Sequence, residues 1–201
     1  MLQLVKRGEL MESELTLKPI YIVISQTGTI LSRILKLITH KEYNHVSLSL
    51  ADDLHLMYSF GRKNPYCVFP AGFVTESASF GTFKRFSNTK VIVLKTFITQ
   101  NKYDELYSFI NYMVSNPTLY RYNYLGLYFA ALKICHRAEN RYYCSEFVRD
   151  ILIKYDVKGA DDLEKIVHPM SFVSLPDTER IFMGKLKDFN KKTLTFYKNM
   201  C

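Results

Sequence analysis

The chain has no C-x-x-C pair. Its four cysteines, Cys67, Cys135, Cys144 and Cys201, stand at unrelated spacings. That pattern offers no zinc-ligand cluster and no disulfide framework. No metal or organic cofactor is implied. No apolar run reaches membrane-spanning length, because Lys or Arg interrupts the longest candidates. The first residues, MLQLVKRGELMESELTLKP, lack a basic region followed by an apolar core, so they do not read as a signal peptide. The expected compartment is therefore reducing and cytoplasmic. Internal repeats and low-complexity segments are also missing.

What remains is the composition of a globular chain. There are 201 residues, 48% of them hydrophobic and 23% charged. That is enough apolar material for one domain with a real core, and it argues against long disorder. The formal charge is +8. From Arg180 onward, six basic residues face one acid, Asp188. Such a tail can touch nucleic acid or an anionic lipid surface. Without a dense run of like charges it reads as a solvated basic surface, so nucleic acid is not the expected partner and peripheral membrane contact stays open. The expected organisation is a polar lead-in over 1–18, a domain over 19–178 and a basic tail over 179–201. Oligomeric state is not legible.

Along the chain, Ile20 to Ser25 is apolar and β-branched, a buried strand. Residues 30–38 carry apolar side chains at helical spacing. Residues 44–50 alternate strictly, with Val46, Leu48 and Leu50 on one face and His45, Ser47 and Ser49 on the other. Leu54, Leu56 and Tyr58 continue the alternation after a turn at Ala51-Asp52-Asp53, which predicts a hairpin. Residues 61–88 look loop-rich. Residues 90–97 read as a strand. Helices are expected over 101–115, 125–135, 142–155 and 161–167. Tyr120 to Phe129 could be an aromatic stacking platform for bases, but its spacing reads as a core helix. Strands early and helices late give an α+β class, a small antiparallel sheet packed against helices.

Two residues invite chemistry. Cys144 opens a helix, where free amide donors and the macrodipole favour the reactive thiolate. Alone, it reads more readily as a buried small hydrophobe. His45 opens the polar side of an amphipathic strand. A cysteine at a helix N-terminus facing a histidine on a sheet is what a thiol hydrolase requires. If the hairpin turns around Asp52, Ser59 lies across from His45 and His55 lies across from Ser49. Ser59 is then the expected third member. Arg62 and Lys63, in a loop beside the site, can bind a carboxylate or phosphate or form a solvated basic turn. Glu146 points away from Cys144 and reads as favourable charge at a helix N-terminus or as an anchor.

The stretches Ser25-Gln26-Thr27-Gly28-Thr29, Leu31-Ser32-Arg33, Tyr43-Asn44-His45-Val46-Ser47-Leu48 and Tyr142-Tyr143-Cys144-Ser145-Glu146-Phe147-Val148 resemble the circularly permuted branch of the NlpC-type papain-like superfamily. In that branch the histidine strand precedes the cysteine helix. The resemblance covers roughly residues 20–157. It implies a permuted papain-like fold, His45 as base and Cys144 as nucleophile. It also implies an oxyanion site using the Cys144 amide, with Gln26 or Tyr124 near the cleft. Relatives often carry a Glu on the strand after the histidine; the aligned position here is Met57, which cannot serve. The function implied is hydrolysis of an amide or peptide bond, on a small peptide, amide or lipid-like substrate. The alternatives are a lipid acyltransferase or phospholipase of the lecithin retinol acyltransferase type, and a degenerate binding module.

Overall fold

A computed structural model describes residues 16–26, 42–64, 67, 69–77, 81–86 and 88–189. The helix expected over 30–38 lies outside them. The class is mixed α and β. One eight-stranded sheet runs β7-β6-β4-β3-β2-β1-β5-β8, antiparallel except between β6 and β7. Its strands are β1 (Leu17–Gln26), β2 (His45–Ser49), β3 (Met57–Arg62), β4 (Ala71–Glu76), β5 (Lys90–Thr99), β6 (Arg121–Tyr122), β7 (Arg141–Tyr142) and β8 (Glu179–Lys185). The helices are α1 (Gly81–Arg85), α2 (Gln100–Ser115), α3 (Tyr124–Ala131) and α4 (Cys144–Lys154), with a 3₁₀ helix over Pro169–Ser174.

β1 is central and buried on both faces, which explains its unbroken apolar run. Ile20, Ile22 and Ile24 enter the main core, with Val46, Leu48, Phe60, Ile92 and Leu94. Leu106, Ile110 and Met113 of α2 and Phe147, Val148, Ile151 and Leu152 of α4 complete it. Tyr21 and Val23 join a second cluster with Met57, Val91, Val93, Phe182 and Phe189. The sheet is thus covered on both sides.

Several expectations need correction. The segment 61–88 is not only loop: it holds β4 and α1. Residues 179–185 are not tail. They pair with β5 as an edge strand, with a bulge at Val93/Leu94. Residues 161–167 form turns, and the helical segment comes later, started by His168 as N-cap and Pro169 at its first position. The second strand of the hairpin begins at Met57 rather than Leu54. Leu54 sits at φ +54° inside the connection, where Ser49 Oγ donates to the Leu56 carbonyl at 2.8 Å. The longer connection moves the register by two residues: Leu48 pairs with Tyr58.

α3 is also not a core helix. Within it only Gly126 is buried, while Tyr124, Leu125 and Tyr128 are exposed. Gly126 is required by close approach: a Cβ there would lie 2.1 Å from Asn123 Nδ2. Asn123 caps this helix, accepting from the Gly126 amide at 2.8 Å.

Candidate active site

The register of β2 and β3 decides what His45 meets. Continued from Leu48 and Tyr58, it sets His45 opposite Gly61, not Ser59. A Cβ built on Gly61 would stand 3.7 Å from His45 Cε1 and 3.9 Å from Glu76 Oε1. Gly61 therefore borders the ring and the carboxylate, each at ordinary van der Waals distance from such a Cβ. Ser59 is fully buried and donates to the Val46 carbonyl at 2.7 Å. It ties β3 to β2, and its hydroxyl is spent on that carbonyl rather than on the imidazole. His55 is exposed and paired with Asp53 in the turn, at 2.5 Å.

The partner of His45 is Glu76, the last residue of β4. Nε2 lies 3.0 Å from each carboxylate oxygen. Ser47, two residues along β2, donates to Glu76 Oε2 at 2.5 Å. Met57 is the Cα partner of Glu76, so the carboxylate comes from the strand beyond the one where the resemblance led us to expect it. The pair is largely shielded, with side chains 16% and 13% exposed.

Burial pulls the His45 pKa down, but the Glu76 charge and hydrogen bonds to Cys144 and Glu76 outweigh it. The imidazole is held well above its ordinary value of 6.5. Burial raises the Glu76 carboxyl, and the His45 charge, with hydrogen bonds from His45 and Ser47, more than reverses that, leaving it below its usual range. The pair is an imidazolium and a carboxylate. Since Nε2 is engaged by Glu76, Nδ1 is the nitrogen left for Cys144.

Cys144 is the first residue of α4 and is 8% exposed. α4 packs against β2 and β3, and its N-terminus delivers the cysteine to His45. Three anchors fix that N-terminus. Glu146, buried, accepts from Asn123 Nδ2 at 3.2 Å and from the Tyr143 amide at 3.4 Å. Ser145 Oγ donates to the Val167 carbonyl at 2.7 Å. Arg137 approaches Glu146 at 4.0 Å and pairs with Asp150 at 2.9 Å. Of the two roles expected for Glu146, these hydrogen bonds show the anchor. The amide of the first helical residue has no intrahelical acceptor, so the Cys144 N–H is available to a ligand oxygen.

Gln26 ends β1, next to Ser25, which is the Cα partner of His45. Ser25 Oγ is buried without a hydrogen-bond partner among the described residues. Arg62 ends β3 half-buried, and its charge acts on Glu76. The Tyr124 hydroxyl accepts from the Ala71 amide at 2.9 Å, so Tyr124 braces β4. Its ring lies 4.8 Å from Tyr122. Tyr122 was not anticipated. Burial and the charge of Cys144 hold its phenol well above the ordinary range, leaving a neutral O–H within electrostatic reach of the cysteine. Glu76 was not anticipated either. Among the described residues, no group of three or more His, Cys, Asp or Glu is placed to hold a metal ion. No protein-family model, curated protein or solved structure matches the chain.

Proposed function

We propose that the chain is a thiol hydrolase with a circularly permuted papain-like fold, cleaving an amide or peptide bond through Cys144, His45 and Glu76. One observation carries this reading: a single imidazole joins a carboxylate on β4 to a cysteine at the N-terminus of α4. The order of histidine strand and cysteine helix agrees with the permuted resemblance. The Met57 departure no longer favours a degenerate site, because Glu76 supplies a carboxylate from the next strand.

In this scheme the Cys144 thiolate attacks the substrate carbonyl carbon, and the new oxyanion accepts from the Cys144 amide and the Tyr122 hydroxyl. The imidazolium gives its proton to the leaving nitrogen as the C–N bond breaks, leaving a thioester and a neutral His45. A water then attacks the thioester, losing its proton to His45. The carboxylic acid departs and the thiolate–imidazolium pair is restored. Glu76 stays ionised throughout, fixing the ring and its charge.

One observation favours an ester as second reading. Aromatic rings run from Tyr122 through Tyr124 to Phe69, which is exposed, with centroid separations of 4.8 and 4.9 Å. That line suits an acyl chain, as in lecithin retinol acyltransferase-type enzymes. Labelling with thiol-directed probes carrying either a peptide amide or a lipid ester tests both. The proposal expects adduct on Cys144, lost in His45→Ala, with the amide probe faster. A faster ester probe would favour the second reading, and no adduct on Cys144 with either would overturn both.

A further inference from the structure

The outward face of α3 has the wrong polarity for a surface helix in water. Leu125, Tyr128 and Leu132 recur at i, i+3 and i+7, a single stripe. With Ile134 and Phe69 they are between 52% and 65% exposed. Phe69 reaches the stripe through its contact with Tyr124, ring centroids 4.9 Å apart. Isolated exposed apolar residues are ordinary, but a contiguous group marks an interaction surface.

Its charge setting says what kind. No Asp or Glu occurs between Glu105 and Glu139. The same stretch carries Arg121, Lys133 and Arg137, of which Arg137 is engaged with Asp150. Arg121 and Lys133 are exposed. Lys63, also exposed, adds a third charge close to Arg121: its side chain lies beside Gly72, the Cα partner of Arg121. The face is thus apolar and aromatic, rimmed by cations, and its own stretch of chain carries no acid. A second copy of the chain seated on it would set like-charged rims against each other. A bilayer surface with anionic headgroups fits all three features: Leu and Phe enter the acyl boundary, Tyr sits at headgroup level, and Lys and Arg meet the phosphates.

We propose that α3, with Ile134 and Phe69, docks the protein on an anionic bilayer surface. Docked so, Phe69, Tyr124 and Tyr122 lead from the lipid toward Cys144. That orienting consequence rests on the catalytic reading above; the docking itself does not.

The test is sedimentation of the full chain with vesicles of phosphatidylcholine alone and of phosphatidylcholine mixed with phosphatidylglycerol. The parent chain should partition to the mixed vesicles about tenfold or more better than to the neutral ones, as expected for two or three basic side chains at the surface. Leu125→Glu combined with Leu132→Glu should abolish the binding, with thermal unfolding confirming the fold. Should that pair unfold the chain, Arg121→Glu with Lys133→Glu provides the same loss through charge alone. Cys144→Ser should bind like the parent, which separates docking from catalysis. Equal binding to neutral vesicles would overturn the proposal, as would full binding by the α3 variant. A parent chain that ignores vesicles but forms dimers dissolved by Leu125→Glu would assign the face to a second copy instead.

Discussion

His45 Nε2 lies 3.0 Å from both carboxylate oxygens of Glu76, although the two residues stand 31 positions apart and on strands separated by β3. The bifurcated contact orients the ring, and the carboxylate charge raises its pKa. Ser47 completes it by donating to the same carboxylate.

The first prediction concerns Glu76→Gln. Burial alone pulls the imidazole down, and the carboxylate is the largest of the effects opposing it. Removing the charge should move the His45 pKa downward, seen by NMR titration of the ring. In the proposed mechanism acylation needs a protonated His45, so its alkaline limb should shift to lower pH by the same amount. Losing a hydrogen bond to a charged group should slow acylation roughly ten- to a hundredfold, or about 1.5–3 kcal/mol. The stability sign follows from the two shifts. His45, raised on folding, stabilises fully below about pH 6.5 and loses that contribution as pH rises through its folded value. Glu76, lowered on folding, stabilises above about pH 4.3 and loses that as pH falls through its folded value. Glu76→Gln should therefore cost most between those limits, measured by denaturant unfolding across pH.

Ser59→Ala should behave differently. Its hydroxyl fixes β3 to the Val46 carbonyl and is remote from the ring in bonding terms. Stability should drop by about 0.5–1.5 kcal/mol, while the His45 pKa stays where it was. A displaced His45 titration in this variant would mean that Ser59 acts on the His45–Glu76 pair after all.

Glu146 separates anchoring from chemistry. Glu146→Ala leaves the Asn123 amide and the Tyr143 N–H without their buried acceptor, at a cost of about 1–3 kcal/mol. Glu146→Gln keeps an acceptor oxygen. Burial holds the native carboxyl above its ordinary range, partly opposed by the Asn123 and Tyr143 hydrogen bonds, so neutralising it removes a desolvation cost. Unfolding curves should place the Gln variant close to the parent and the Ala variant well below.

How far the sequence speaks depends on how local each signal is. His45 and Cys144 are legible because strand alternation and a helix N-terminus are patterns of adjacent residues. Glu76 was missed because β4 lies in a stretch interrupted by Gly, Pro and Ser. Its one available signal was that Glu76 is the only acid between Asp53 and Asp104, directly after Phe73-Val74-Thr75. The hairpin register could not be read, because it depends on the Leu50 to Leu56 connection and on Leu54 adopting positive φ. α3 misled for another reason. A helix apolar all round carries no direction in its periodicity, and only the missing acids around it hint that it faces outward. β8 escaped notice because its pairing partner, β5, is distant in sequence and its own alternation is broken by Gly184 and by Ile181, the extra residue opposite Val93/Leu94.

The central claim is that Cys144 is a nucleophile activated by His45. Exposure and activation make opposite forecasts here. Cys67 and Cys135 are exposed, whereas Cys144 is buried. Limiting iodoacetamide near neutral pH, followed by peptide mass spectrometry, compares them directly. Activation predicts that Cys144 alkylates first in the parent chain and falls behind Cys67 and Cys135 in His45→Ala. Labelling that follows exposure, with Cys144 last in both proteins, would contradict the assignment.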